Sequence, residues 1–253
     1  MLFKVKEYLF YLLRCLQSSK IKNKNFSFFK TKVLLQKIDI SEINKIRNFY
    51  KYSNEKIKIE DYGAGSKTIK KQDFIKSKDL YLKVAISKKY GEILYKLIDF
   101  FEIESVLELG TSLGLSAVYM ANAKVTTIEG NSDLANKTAK YLKQFDYNSI
   151  NVINSQFDLI LNDLLKKNDY QLIFIDGNHT EKASIDYFES CLKYSKENII
   201  IVFDDIYWSK GMKNAWKYIK QAKEVKLSID LFKFGIVYIC NENIEKEDVT
   251  LWY

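Results

Sequence analysis

Ser105-Val-Leu-Glu-Leu-Gly-Thr-Ser-Leu-Gly114 is the stretch that decides the fold. Val106, Leu107 and Leu109 form the short apolar run of a buried parallel strand, and Gly110 breaks it where the chain must turn sharply. Residues 113 to 123 (Leu-Gly-Leu-Ser-Ala-Val-Tyr-Met-Ala-Asn-Ala) then read as a helix. The turn Gly110-Thr111-Ser112-Leu113-Gly114 therefore lies at the carboxyl end of a strand and before a helix, where α/β sheets bind ligands.

Lys124 to Glu129 reads as a second strand ending in a carboxylate, nineteen positions after Gly110. That is about the spacing at which a nucleotide-binding fold places its ribose-binding acid, so Glu129 is the candidate. Gly110 and Gly114 do not make a Gly-x-Gly-x-x-Gly pattern, and no third glycine opens the helix for a pyrophosphate. The pattern favours a nucleoside without phosphates.

Regular alternation continues outward. A helix (132 to 145) is followed by a strand (150 to 154), a helix (156 to 166), a strand (170 to 176) and a helix (181 to 194). A strand (198 to 204), a helix (211 to 223) and two closing strands (224 to 231 and 235 to 240) complete the chain. This order predicts a doubly wound, mostly parallel, seven-stranded sheet. The last two strands, joined only by Phe232-Lys-Phe-Gly235, must be antiparallel, because a parallel crossover needs a dozen or more residues.

Leu107-Glu-Leu-Gly-Thr-Ser-Leu-Gly-Leu-Ser-Ala-Val-Tyr-Met-Ala121 and Thr127-Ile-Glu129 resemble the first two motifs of class I S-adenosylmethionine-dependent methyltransferases. The resemblance is nearest to the catechol-type metal-dependent O-methyltransferases. It continues through Asn154-Ser-Gln156, Phe174-Ile-Asp176 and Phe203-Asp-Asp205 and covers roughly residues 87 to 240. It implies a Rossmann-like methyltransferase fold with an antiparallel last strand, S-adenosylmethionine as cofactor and O-methylation of a small-molecule hydroxyl.

For the cofactor, Glu129 can accept both ribose hydroxyl protons, and the turn from Gly110 through Thr111 and Ser112 to Gly114 lets the backbone approach closely. The resemblance implies Ser116 near the methionine carboxylate, Ser155 and Gln156 along the adenine, and Glu108 and Asp176 within the cofactor's surroundings. Helix capping or packing is the bland reading of the three polar side chains.

Asp176, Asp204 and Asp205 lie at the ends of two expected neighbouring strands, where like charges repel unless a cation sits between them. Hard oxygen donors suit Mg²⁺ or another divalent cation. The family pattern has Asp, Asp, Asn, so Asp205 adds a negative charge. His179, the sole histidine, stands where the catechol-type enzymes carry a lysine base. It is the expected base, paired with Asp176 in catalysis. Tyr207 and Trp208 are candidates for an acceptor wall, whereas core packing explains Trp216 at least as well.

Residues 1 to 59 hold 14 Lys and Arg against 4 Asp and Glu, a net +10, which leaves 26 against 28, a net −2, for residues 60 to 253. The basic excess therefore belongs to an N-terminal helical appendage (1 to 59), and residues 60 to 253 form the catalytic domain. Leu2, Val5, Leu9, Leu12 and Leu16 give that appendage an amphipathic helix. It suits docking on its own domain, homodimerisation or peripheral contact with an anionic membrane. A nearly neutral catalytic half disfavours nucleic acid, and Asp61 to Ser66 reads as a loop or lid before it.

Cys15, Cys191 and Cys240 are an odd number without metal-like spacing, which fits a reducing compartment. No apolar run spans a bilayer, and Arg14 interrupts the run from Tyr8 to Leu13. The expected location is cytoplasmic. A non-catalytic binding or scaffold protein that uses the basic segment for a partner is the competing reading.

Overall fold

The computed structural model describes residues 37–58, 74–195, 198–240 and 245–251. The amphipathic helix expected near the N-terminus and the loop expected at 61 to 66 lie outside the described residues. The chain divides into two compact units, with the break between residues 160 and 161.

The first unit begins with helix α1 (Ser41–Tyr52), strands β1 (Lys56–Lys58) and β2 (Phe74–Lys76), and helices α2 (Ser77–Val84) and α3 (Lys88–Phe100). It continues with β3 (Ser105–Leu109), α4 (Leu115–Tyr119), β4 (Lys124–Glu129), α5 (Ser132–Gln144) and β5 (Ile150–Asn154). Strands β3, β4 and β5 run parallel in that order. Four of the five β3 side chains are buried, as its apolar run requires, whereas β5 is half-exposed at the edge. In α3, Ile93, Leu94, Leu97 and Ile98 recur at helical spacing and are buried.

Residues 41 to 58, expected in a separate appendage, belong to this unit. The Phe49 ring centre lies 4.6 Å from that of Tyr141 on α5. The Lys58 N–H donates to the Asp133 carboxylate at 2.7 Å, and Asn131 Nδ2 donates to the Lys58 carbonyl at 2.9 Å. A short antiparallel ribbon, β1 with β2, therefore rests on the start of α5. Its three-residue strands carry too little periodicity to be recognised from sequence.

The second unit contains α6 (Phe157–Lys167) from Leu161 onward, β6 (Leu172–Ile175), α7 (Glu181–Tyr194), β7 (Ile199–Phe203) and α8 (Lys210–Gln221), followed by β8 (Val225–Asp230), β9 (Gly235–Ile239) and β10 (Glu247–Thr250). Every side chain of β6 and β7 is buried, the mark of parallel strands covered on both faces. Met212, Ala215, Trp216 and Ile219 form the buried stripe of α8.

Among the described residues, strands β3 to β10 number eight rather than the expected seven. β9 is antiparallel to both β7 and β8, so the reversed strand is the penultimate one, and β10 adds to β8 in parallel. Glu247-Asp-Val-Thr has one apolar side chain among four residues. Such an edge strand carries almost no hydrophobic signature.

Candidate functional site

In the first unit the site is built on the ends of β3 and β4. The turn after β3 has three residues with positive φ, Gly110 (109°), Ser112 (47°) and Gly114 (70°). Helix α4 is only five residues long, shorter than the 113 to 123 expected. A side chain at Gly114 would meet Thr138 Cγ2 at 2.9 Å, so this glycine serves the packing of the turn on α5 as well as its left-handed backbone. Thr138 Oγ1 donates to the Ser112 carbonyl at 2.8 Å, fixing the turn from the other side.

Glu129 stands at the end of β4. Its Oε2 accepts from the Ser112 N–H at 2.8 Å and its Oε1 from the Asn131 N–H at 2.9 Å. Each carboxylate oxygen has a second lone pair, so these bonds orient the group and leave it able to accept two hydroxyls. Burial raises its pKa, while the Asn131, Ser112 and Gly130 N–H groups pull it down.

Glu108, fully buried, accepts from Thr127 Oγ1 at 2.5 Å. Thr127 has a single proton, so when it donates to Glu108 the 2.6 Å contact between Thr111 and Thr127 requires Thr111 as the donor. Burial pushes the Glu108 carboxyl up to about 7, against the opposing pull of the Ser116 and Thr127 hydroxyls. Its Oε1 is buried without a hydrogen-bond partner. An unsatisfied buried acceptor beside the turn fits a ligand that carries donors. Sequence reading singled out Glu108 and Ser116 but missed Thr127, which only the β3–β4 register places opposite Glu108.

Ser155 and Gln156 follow β5. The Ser155 N–H donates to the Glu129 carbonyl at 3.0 Å, which ties this loop to the candidate ribose acid. The Ser155 hydroxyl donates to the Gln156 carbonyl at 3.2 Å, and the Gln156 side chain is exposed. Asn154, not foreseen, donates to the carbonyls of Glu129 and Gly130 at 2.8 and 3.2 Å.

In the second unit, β6 and β7 are adjacent with Ile175 opposite Phe203, so the register brings Asp176 beside Asp204. The Asp204 N–H donates to the Ile175 carbonyl at 3.0 Å. Thr180 caps α7 through the Ala183 N–H, and this helix start fixes the loop that carries Asp176 and His179. His179 Nε2 lies 3.5 Å from Asp176 Oδ1. Donor atoms of Asp176, His179 and Asp204 all fall within 4.8 Å of one another.

The sequence expectation omitted Lys233. Its Nζ donates to both Asp204 oxygens at 2.6 Å and to Asp205 Oδ1 at 3.1 Å. Burial alone would lower the pKa of this ammonium, but Asp204, Asp205 and Asp176 together hold it above the ordinary lysine range. Burial and its acidic neighbours push Asp204 well up, opposed by Lys233. The antiparallel register contained the signal: Phe203 pairs with Gly235, so Asp204 and Asp205 must face the residues just before Gly235.

The Mg²⁺ set expected from Asp176, Asp204 and Asp205 differs from the cluster as folded. Both Asp204 oxygens are engaged by an ammonium, Asp205 turns to the same ammonium, and the third donor grouped with Asp176 and Asp204 is an imidazole. A hard ion that prefers an all-oxygen shell does not fit this arrangement without displacing Lys233.

Tyr207, expected at an acceptor wall, is buried and donates to Asp230 Oδ2 at 2.6 Å. It braces the turn after β8. Trp216 is a core residue whose Nε1 donates to the same oxygen at 3.3 Å. Trp208 is 48% exposed, as a contact residue for an acceptor would need to be.

Residues 107–206 match the family model described as a methyltransferase domain. These 100 residues are similar to a methyltransferase domain. No curated protein matches the chain. The solved structures similar to it include an O-methyltransferase from Bacillus cereus in complex with SAH, at 17% identity and a TM-score of 0.57, covering 86% of this chain and 97% of that one. TomG, the O-methyltransferase from Streptomyces achromogenes involved in tomaymycin synthesis, solved with SAM, has 15% identity and a TM-score of 0.57, with coverage of 87% and 97%. An SAH-bound methyltransferase from Podospora anserina has 11% identity and a TM-score of 0.61, with coverage of 88% and 98%. At these identities the likeness is one of fold. The shared fold is a mostly parallel, Rossmann-like sheet flanked by helices.

Proposed function

We propose that the methyltransferase domain transfers a methyl group from S-adenosylmethionine to a hydroxyl of a small molecule. The observation that carries this reading is the Asp176, His179 and Asp204 cluster after β6 and β7, and within the other unit Glu129 is separately oriented by two backbone N–H groups at the end of β4. When bound, S-adenosylmethionine supplies an electrophilic methyl carbon whose bond to sulfur breaks, with its electron pair kept by sulfur, as the oxygen–carbon bond forms.

Glu129 receives the two ribose hydroxyls on the lone pairs left by Ser112 and Asn131. Glu108 and Ser116 would hold the amino-acid end, and Ser155 and Gln156 the base. His179 takes the acceptor's hydroxyl proton. With Nε2 turned to Asp176, the tautomer protonated at Nε2 leaves Nδ1 as the proton acceptor, and Asp176 stabilises the imidazolium that forms. Trp208 offers an apolar plane to the acceptor.

Methyl-labelled S-adenosylmethionine incubated with a panel of aromatic and aliphatic hydroxyl compounds tests the reading. Label is expected in an ether product, with loss of turnover in His179→Asn. Label transferred to an amine or carboxylate and to no hydroxyl would contradict it.

A further inference from the structure

We infer that Lys233 is a tethered cation standing in for a divalent metal ion at the acid cluster, so that Asp204 and Asp205 are held together without a metal. The inference rests on reading this cluster as the acceptor site. Asp204 is 5% exposed and both of its oxygens bond the ammonium at 2.6 Å, with Asp205 Oδ1 at 3.1 Å. A buried carboxylate next to a partly buried one needs a positive partner, and an ammonium supplies it from within the chain.

The backbone around Lys233 is built to aim it. Phe232 has φ 69°, a left-handed conformation that a bulky aromatic residue adopts only when its surroundings enforce it. Three contacts do so. The Phe232 N–H donates to Asp230 Oδ1 at 3.0 Å, its ring stacks on Tyr207 at 5.4 Å between centres, and the Tyr207 hydroxyl bonds the other Asp230 oxygen. The Ile206 N–H donates to the Lys233 carbonyl at 3.3 Å, which ties the lysine to the segment that carries both acids. A merely solvated surface lysine would need none of this scaffolding.

An ammonium and a metal ion compete for the same Asp204 oxygens, so occupancy by one excludes the other. Mn²⁺ serves as the probe, titrated into the full chain and followed by the loss of its free-ion paramagnetic resonance signal. Wild type is expected to bind no more tightly than about 1 mM. Lys233→Met, with its fold verified by circular dichroism, is expected to bind at least roughly tenfold more tightly. Lys233→Arg, which keeps the charge, is expected to behave as wild type.

Stoichiometric micromolar binding by wild type would overturn the inference, as would a folded Lys233→Met without gain or an Arg variant that gains as much as Met. If the Met variant does not fold, the wild-type and Arg titrations decide. Mn²⁺ binding is read without turnover, so failure here leaves the methyl-transfer proposal standing, and failure of methyl transfer leaves this result standing.

Discussion

His179 Nε2 lies 3.5 Å from Asp176 Oδ1, across the loop that joins β6 to α7. Both side chains are about one-quarter exposed, so an acceptor can reach them while water is partly excluded. His179→Asn is expected to lower kcat by roughly 10²–10⁴, the usual contribution of a positioned base. The dissociation constant for S-adenosylmethionine should change little, since Glu129 and its two backbone donors are untouched. Steady-state turnover and calorimetric binding measured on the same preparation separate the two effects.

Glu108 gives the protein a pH-dependent stability. Its carboxyl is ordinarily half-ionised near 4.5 and in the folded chain near 7, because burial disfavours the charge. Between those values the folded state holds a proton that the unfolded state has lost, so this group's contribution to stability falls as pH rises. It is fully present below about 4.5 and lost once pH passes about 7, a change on the order of 3 kcal/mol. Urea unfolding of wild type and Glu108→Gln across this range should show a decline in wild type and a flatter profile in the variant.

Gly235 opens β9 beneath the Trp216 ring. An added Cβ would lie 2.7 to 2.8 Å from three ring atoms, and the ring is buried and tethered through its Nε1 to Asp230. Neither can yield cheaply, so Gly235→Ala is expected to cost about 1–3 kcal/mol. Chemical denaturation measures it, and a variant as stable as wild type would mean that the ring moves freely.

Most of the architecture was legible because buried parallel strands read as continuous apolar runs. Lys124–Glu129, Ile150–Asn154 and Glu181–Tyr194 match the expected bounds, most others moved by one or two residues, and α4 ends four residues earlier than expected. The β1–β2 ribbon and β10 were not legible. Their three or four residues, half of them charged, owe their conformation to pairing with other strands rather than to their own pattern.

The site was legible where chemistry follows directly from a strand end. Asp176 and Asp204 each directly follow an apolar run, and Glu129 closes the strand Lys-Val-Thr-Thr-Ile-Glu, in which only Val125 and Ile128 are apolar. Lys233 was hidden because its role depends on register, which sets a hairpin lysine against two acids some 28 residues earlier in the chain. Tyr207 was misread for a similar reason. Its position after the acid pair suggested an acceptor wall, but its partner Asp230 lies on another strand.

Calorimetric titration of S-adenosylmethionine into the purified protein, with Glu129→Ala beside it, is the most direct measurement. Wild type should bind one equivalent, and the variant should bind at least about tenfold more weakly, since two hydroxyl bonds to a charged acceptor are lost. A folded wild type that binds no S-adenosylmethionine would contradict the methyl-transfer proposal, and equal binding by both proteins would remove Glu129 from the cofactor site.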